Sequence, residues 1–144
     1  MDIPEYITVR EVKRVCKELG IRDWSSLKEP VVLEEEAKVI LNSVNTQGMN
    51  IKVEDFRQGL EVELEHGTRY EDANITNNHP VLTGMIVLAH LKETLDYYQR
   101  IDVAEIEGDL LKAIQSKNLA KITQKFKRLI EAQKVLSEAI LDQL

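Results

Sequence analysis

Apolar residues recur along this chain at steps of three and four. The clearest run lies near the C-terminus, where Leu119, Ile122, Phe126, Leu129, Gln133, Leu136 and Ile140 keep the alternation over three heptads. Side chains at that spacing share one face of an α-helix, so the chain is expected to be all-α. No strand pattern, internal repeat or low-complexity segment is read beside it. The 116–142 stretch predicts one long helix, either packed on its own domain or forming a homo-oligomer seam with Gln133, its one polar member, setting register.

Capping and turn residues cut the rest into shorter helices. Thr8-x-x-Glu11 has capping-box spacing and Gly20 closes the helix it opens, with Val9, Val12, Cys16 and Leu19 as its buried stripe. Residues 21–30 form a linker anchored by the only tryptophan, Trp24. A second helix after Pro30 carries Leu33, Ala37, Ile40, Leu41 and Val44 on one face, and a polar turn with Gly48 follows. A third runs from Val53 to His66, on Val53, Phe56, Leu60 and Leu64, with Gly67 placed to stop it. Fourteen mostly polar residues, 67–80, make a long loop of the kind that is functional or mobile. Pro80 suits the first turn of a fourth helix reaching Arg100. Asp102-x-x-Glu105 opens a fifth, and Ser116 or Asn118 the last. The expected fold is a compact bundle of five to six helices in one domain, 1–144, with helices three and four antiparallel at its centre.

Composition narrows the function classes. With 43% apolar and 31% charged residues, 144 residues can bury a core without staples. A net charge of -6 argues against a nucleic-acid partner, although residues 117–128 carry five positive side chains. Cys16, the single cysteine, cannot form an internal disulfide and is expected in the core. No apolar run has membrane-spanning length and no secretory signal precedes the first helix, so the expected compartment is the cytoplasm, with no membrane partner. No phosphate loop or nucleophile elbow points to a standard enzyme class, and no organic cofactor is indicated.

One cluster suggests chemistry. Glu63 and His66 stand three apart on the third helix, and His90 and Glu93 three apart on the fourth. Each pair shares a helix face, and carboxylates with imidazoles suit a divalent Fe, Mn or Zn. The metal reading takes Glu63, His66, His90 and Glu93 as ligands, Tyr97 in support, and Glu61 and Glu65 in reserve. The fourth helix projects two apolar faces, Val87, Leu91, Leu95 and Tyr98 against Leu82, Ile86, Ala89 and Tyr97, which predicts that it is sandwiched. The competing reading is a structural polar network in a non-catalytic interaction protein, working through the C-terminal helix or the 67–80 loop. His79 is read as a turn residue before Pro80.

The middle of the chain, Phe56-Arg57-x-Gly59-Leu60, Val62 to Arg69, Asn74-x-Thr76-Asn77, Pro80-x-Leu82-Thr83-Gly84, Ala89-His90-Leu91-x-Glu93 and Asp96-Tyr97-Tyr98, resembles a domain-of-unknown-function family of small bacterial and phage proteins. The resemblance implies that Glu63, Glu65, His66, His90, Glu93 and Tyr97 belong to the family pattern, and it implies no activity. His79 departs from it, where an acidic residue is expected. The N-terminal helices and the long C-terminal helix are expected to lie outside it.

Overall fold

The computed structural model describes residues 6–144 and is all-α. Its helices are α1 (Val9–Leu19), α2 (Glu34–Val44), α3 (Val53–Arg69), α4 (Pro80–Glu93), α5 (Tyr97–Gln115) and α6 (Leu119–Leu141), with short 3-10 turns at Trp24–Ser26 and Glu71–Ala73. The chain packs as two compact units, residues 1–92 and 93–144.

In the first unit, α1 begins where expected: the Thr8 hydroxyl accepts from the Glu11 N–H at 3.2 Å, and Gly20 closes the helix at φ 70°. Only half of the capping box forms, because the Glu11 carboxylate turns to Arg14 at 2.7 Å. The buried stripe is Val12, Val15 and Cys16; Val9 is exposed and Leu19 half-buried. Trp24 is fully buried, as the linker requires, and its backbone N–H donates to the Cys16 sulfur at 3.4 Å. On α2, Ala37, Ile40, Leu41 and Val44 are buried, whereas Leu33 is an exposed cap residue.

The α2 helix is fastened by a carboxylate. Glu36, only 3% exposed, accepts from Arg22 through its backbone N–H, Nε and Nη2, and from the Leu33 N–H. Burial alone would raise its pKa, but these donors outweigh burial and hold it below the ordinary value. A buried charge with this many partners fixes the linker to the helix.

Helix α3 packs on α2 and buries Phe56, Leu60 and Leu64. It does not stop at Gly67 but continues to Arg69. Gly67 is a contact residue: a Cβ there would lie 1.9 Å from Asn78 Oδ1 and 2.8 Å from Asn74 Oδ1. Gly84 does the same on α4, where a Cβ would fall 2.6 Å from Ile40 and 3.4 Å from Phe56. Pro80 sits in the first turn of α4, as its fixed φ favours. The helix is apolar on both sides but buried on one: Thr83, Gly84, Val87, Leu88 and Leu91 are buried, while Met85, Ile86 and Ala89 are exposed. The expected sandwich is therefore half realised.

The expected helix from Pro80 to Arg100 is broken at 94–96. The Thr94 hydroxyl donates to the Asp96 carboxylate, which also accepts from Arg100 Nη2 at 2.7 Å. Asp96 is 1% exposed, and side-chain bonding of this sort competes with helix continuation. Asp102 is accordingly inside α5 and not at its start. In the second unit α5 and α6 form a helical hairpin, turned at Lys117 (φ 53°) and capped by Asn118, whose Oδ1 accepts from the Lys121 N–H at 3.0 Å. Ile106, Leu129 and Ala132 form the hairpin core, with Val103 and Leu110 packed beside it.

Candidate functional site

Glu63 is the centre of the predicted Glu/His cluster. Its carboxylate, 13% exposed, lies 3.6 Å from His90 Nε2 across to α4 and 3.8 Å from His66 Nδ1 on its own helix. The His66 ring is two-thirds exposed and its Nδ1 also lies 3.2 Å from the Glu63 carbonyl oxygen. A carbonyl only accepts, so in this contact Nδ1 is the donor. Glu93 ends α4 and is exposed, and Tyr97 opens α5.

Among the described residues, no group of three or more His, Cys, Asp and Glu side chains is placed to hold a metal ion. A first-row metal needs its ligand atoms to converge at about 2 Å from one point, and the two imidazoles flank Glu63 as polar neighbours instead. The reserve carboxylates have other work. Glu61 accepts from the Val32 N–H at 3.1 Å and from Arg57 Nη1 at 3.0 Å, and Glu65 pairs with Arg69 at 2.6 Å.

The loop after α3 is shaped by its asparagines, to which the sequence reading gave no structural role. Asn77 and Asn78 adopt left-handed φ of 49° and 58°, a region that asparagine tolerates better than most side chains. Asn77 Nδ2 donates to the Ile7 carbonyl at 2.6 Å, Asn78 Nδ2 to that of Trp24 at 3.5 Å, and Asn74 Nδ2 to that of Gly67 at 3.4 Å. Three loop asparagines thus reach α3 and the N-terminal segment. The signal available in sequence was a glycine inside a helical pattern followed by an asparagine-rich loop. Between the loop, the end of α3 and the start of α4 lies a cleft of about 230 Å³, with Glu63, His66, Asn74, Ile75, Asn78, Thr83 and Ile86 among its walls.

His79 is buried and its Nδ1 accepts from the Leu82 N–H at 3.3 Å, capping α4. That is the task an acidic residue performs at a helix start. Burial lowers its pKa, partly opposed by the nearby Glu11 carboxylate. Cys16 is buried, and burial raises its thiol pKa, consistent with a core residue.

The long helix departs from its expected seam. Leu129 faces α5 with Ala132, while Ile122, Leu136 and Ile140 are half-buried. Leu119, Phe126 and Gln133 are exposed. A second stripe emerges on the outside: Leu119, Thr123, Phe126, Ile130, Gln133, Ser137 and Leu141 are all exposed and all uncharged. The other flank of the hairpin is ionic, with Lys125 on Asp109 at 2.6 Å and Arg128 on Asp102 at 3.4 Å.

Residues 12–107, two-thirds of the chain, match the family described as "Protein of unknown function (DUF5661)", and the chain belongs to that family. The match takes in most of α1 and all of α2, so these N-terminal helices are part of the family segment, contrary to expectation; α6 lies beyond it. No curated protein and no solved structure matches the chain. Among the described residues, no helix is long and apolar enough to cross a membrane.

Proposed function

We propose that this is a non-catalytic interaction protein that self-associates through the outer stripe of its C-terminal hairpin. The observation that carries the reading is the chemistry of that stripe. Thr123 and Ser137 donate their hydroxyls to the Leu119 and Gln133 carbonyls, at 3.0 and 2.8 Å. Both hydroxyls are therefore satisfied inside the helix, and covering the stripe strands neither. Gln133 remains as the amide, a group that carries donors and an acceptor and so can pair with its own copy across a two-fold axis.

Area supports a second copy as the occupant. Leu111, Ile114, Leu119, Phe126, Ile130 and Leu141 are each more than half exposed. Together they present on the order of 600 Å², close to the about 800 Å² per partner of a standard interface. The hairpin's own core is thin, and two antiparallel hairpins joined along this stripe make a four-helix arrangement with a shared core.

The test is light scattering on a Phe126→Glu/Ile130→Glu double variant. Both side chains are exposed, so the hairpin is expected to keep its helical circular dichroism while the assembly falls to monomers. Val135→Glu, exposed but off the stripe, is expected to leave assembly intact. Leu129 is unsuited to the test because it belongs to the hairpin core. Equal assembly in the double variant and the native chain would overturn the reading.

A further inference from the structure

We infer that a cleft on the ionic flank of the hairpin binds a phosphate monoester carried on a small hydroxylated body. The cleft, of about 450 Å³, lies near the turn between α5 and α6, with Asp109, Lys112, Ser116, Lys121, Gln124 and Lys125 in its walls. None of its residues belongs to the exposed stripe, so the inference stands apart from self-association. All of them lie beyond the family segment.

Charge selects an anion. Residues 110–130 carry Lys112, Lys117, Lys121, Lys125, Lys127 and Arg128 and no acidic residue, in a chain whose net charge is -6. This end of the hairpin is a basic island on an acidic protein, and a field of that sign draws anions. Within the cleft, three lysines stand against one carboxylate, Asp109. Asp109 accepts from Lys125 Nζ at 2.6 Å and from Lys112 Nζ at 3.3 Å, and these bonds hold its pKa below the ordinary value. With Asp109 ionised, the walls keep an excess of two positive charges, which a phosphate monoester dianion balances.

The donors suit phosphate better than carboxylate. One carboxylate brings the Lys112 and Lys125 ammonium groups side by side, and it uses one of the three N–H donors of each. Lys121 adds a third ammonium-bearing side chain to the same walls, and no arginine lines the cleft among the described residues. A planar carboxylate is best met by the guanidinium fork, whereas lysine acts as a point charge and binds the tetrahedral phosphate group.

Size and polarity define the rest of the ligand. A volume of about 450 Å³ falls in the range of small-molecule sites and exceeds what a bare phosphate ion fills. Among the described residues lining the cleft, Ala113 alone is apolar. Such walls match hydroxyl groups and not a hydrocarbon: a carboxylate accepts from a hydroxyl, and the amide of Gln124 both donates and accepts.

The test is a titration of the full-length protein with ribose 5-phosphate at low salt, followed by amide chemical shifts in two-dimensional NMR. Ribose, inorganic phosphate, a single-stranded oligonucleotide and vesicles containing phosphatidylserine serve as parallel arms. Saturable shifts centred on Ala113, Ser116 and Gln124 are expected with ribose 5-phosphate, with binding about tenfold weaker for inorganic phosphate and no saturation with ribose. Lys121→Gln, at an exposed position that leaves the hairpin folded, is expected to weaken binding about tenfold. Lys134→Gln, on the same helix but outside the cleft, is expected to leave it unchanged. No saturable shift with ribose 5-phosphate, equally tight binding of inorganic phosphate, or equal losses in the two variants would each overturn the inference. So would tighter engagement of the same amides by the oligonucleotide or the vesicles.

Discussion

The two units differ in how their helices are locked. In residues 1–92 the fasteners are buried polar groups and close-packed glycines: Glu36 gathers four donors, three loop asparagines bond to distant carbonyls, and Gly67 and Gly84 admit neighbours where a Cβ would clash. In residues 93–144 a ladder of ion pairs runs along one flank of the hairpin, and the other flank turns an uncharged stripe to water. A region whose polar groups are satisfied internally is specified by its own contacts. A region that turns large apolar side chains such as Phe126 and Ile130 to water is specified only when something covers them. The family segment covers all of the described first unit from residue 12 onward and stops within α5, so the exposed stripe of α6 belongs to this chain beyond the family's shared part.

The comparison breaks first at Glu36. Glu36→Ala leaves the Arg22 guanidinium and two backbone N–H groups without their acceptor, and is expected to cost about 3–5 kcal/mol in chemical denaturation followed by circular dichroism. A cost below about 1 kcal/mol would mean that the carboxylate is an ordinary surface partner.

A glycine pair gives a sharper contrast. Gly67→Ala forces a Cβ into the Asn78 and Asn74 side chains and is expected to destabilise by about 1–3 kcal/mol. Gly108→Ala, in α5 with nothing within 4 Å of its new carbon, is expected to stabilise by about 0.5–1 kcal/mol. The same substitution thus carries opposite signs in the two units, and equal signs would erase the distinction between them.

A smaller effect is expected with pH. His79 has its pKa lowered from 6.5 by burial, so the unfolded chain binds a proton there more readily than the folded one. Stability is full above pH 6.5 and falls as pH drops below that value toward the folded pKa, because a protonated Nδ1 can no longer accept from the Leu82 N–H. His79→Asn, which keeps a capping acceptor and does not titrate, is expected to flatten this part of the urea-midpoint profile. An unchanged slope would remove His79 from the account.

Much of the helical layout was legible from local chemistry, because Thr8, Gly20, Pro80 and Asn118 act through the few residues beside them. The break at Thr94–Asp96 was not, since no Gly or Pro marks it and it depends on how Thr94 and Arg100 converge on one carboxylate. Gly67 misled for the same reason: its contacts lie seven and eleven residues away, with Asn74 and Asn78. Leu60 to Glu65 even alternates apolar and acidic residues as a strand would, yet it lies inside α3. Within the candidate site, spacing identified Glu63, His66 and His90 as neighbours, but it carries no information on ring rotation or on which carboxylates Arg57 and Arg69 engage. For α6, the heptad pattern revealed an apolar helix, and only the position of α5 divides its buried face from its exposed stripe.

The central claim is that the exposed stripe is covered by a second copy of the chain. Sedimentation equilibrium of the native protein over a range of concentrations measures this directly. The account predicts a species of twice the 16.5 kDa chain mass that dissociates on dilution. A mass of one chain at every concentration would contradict it.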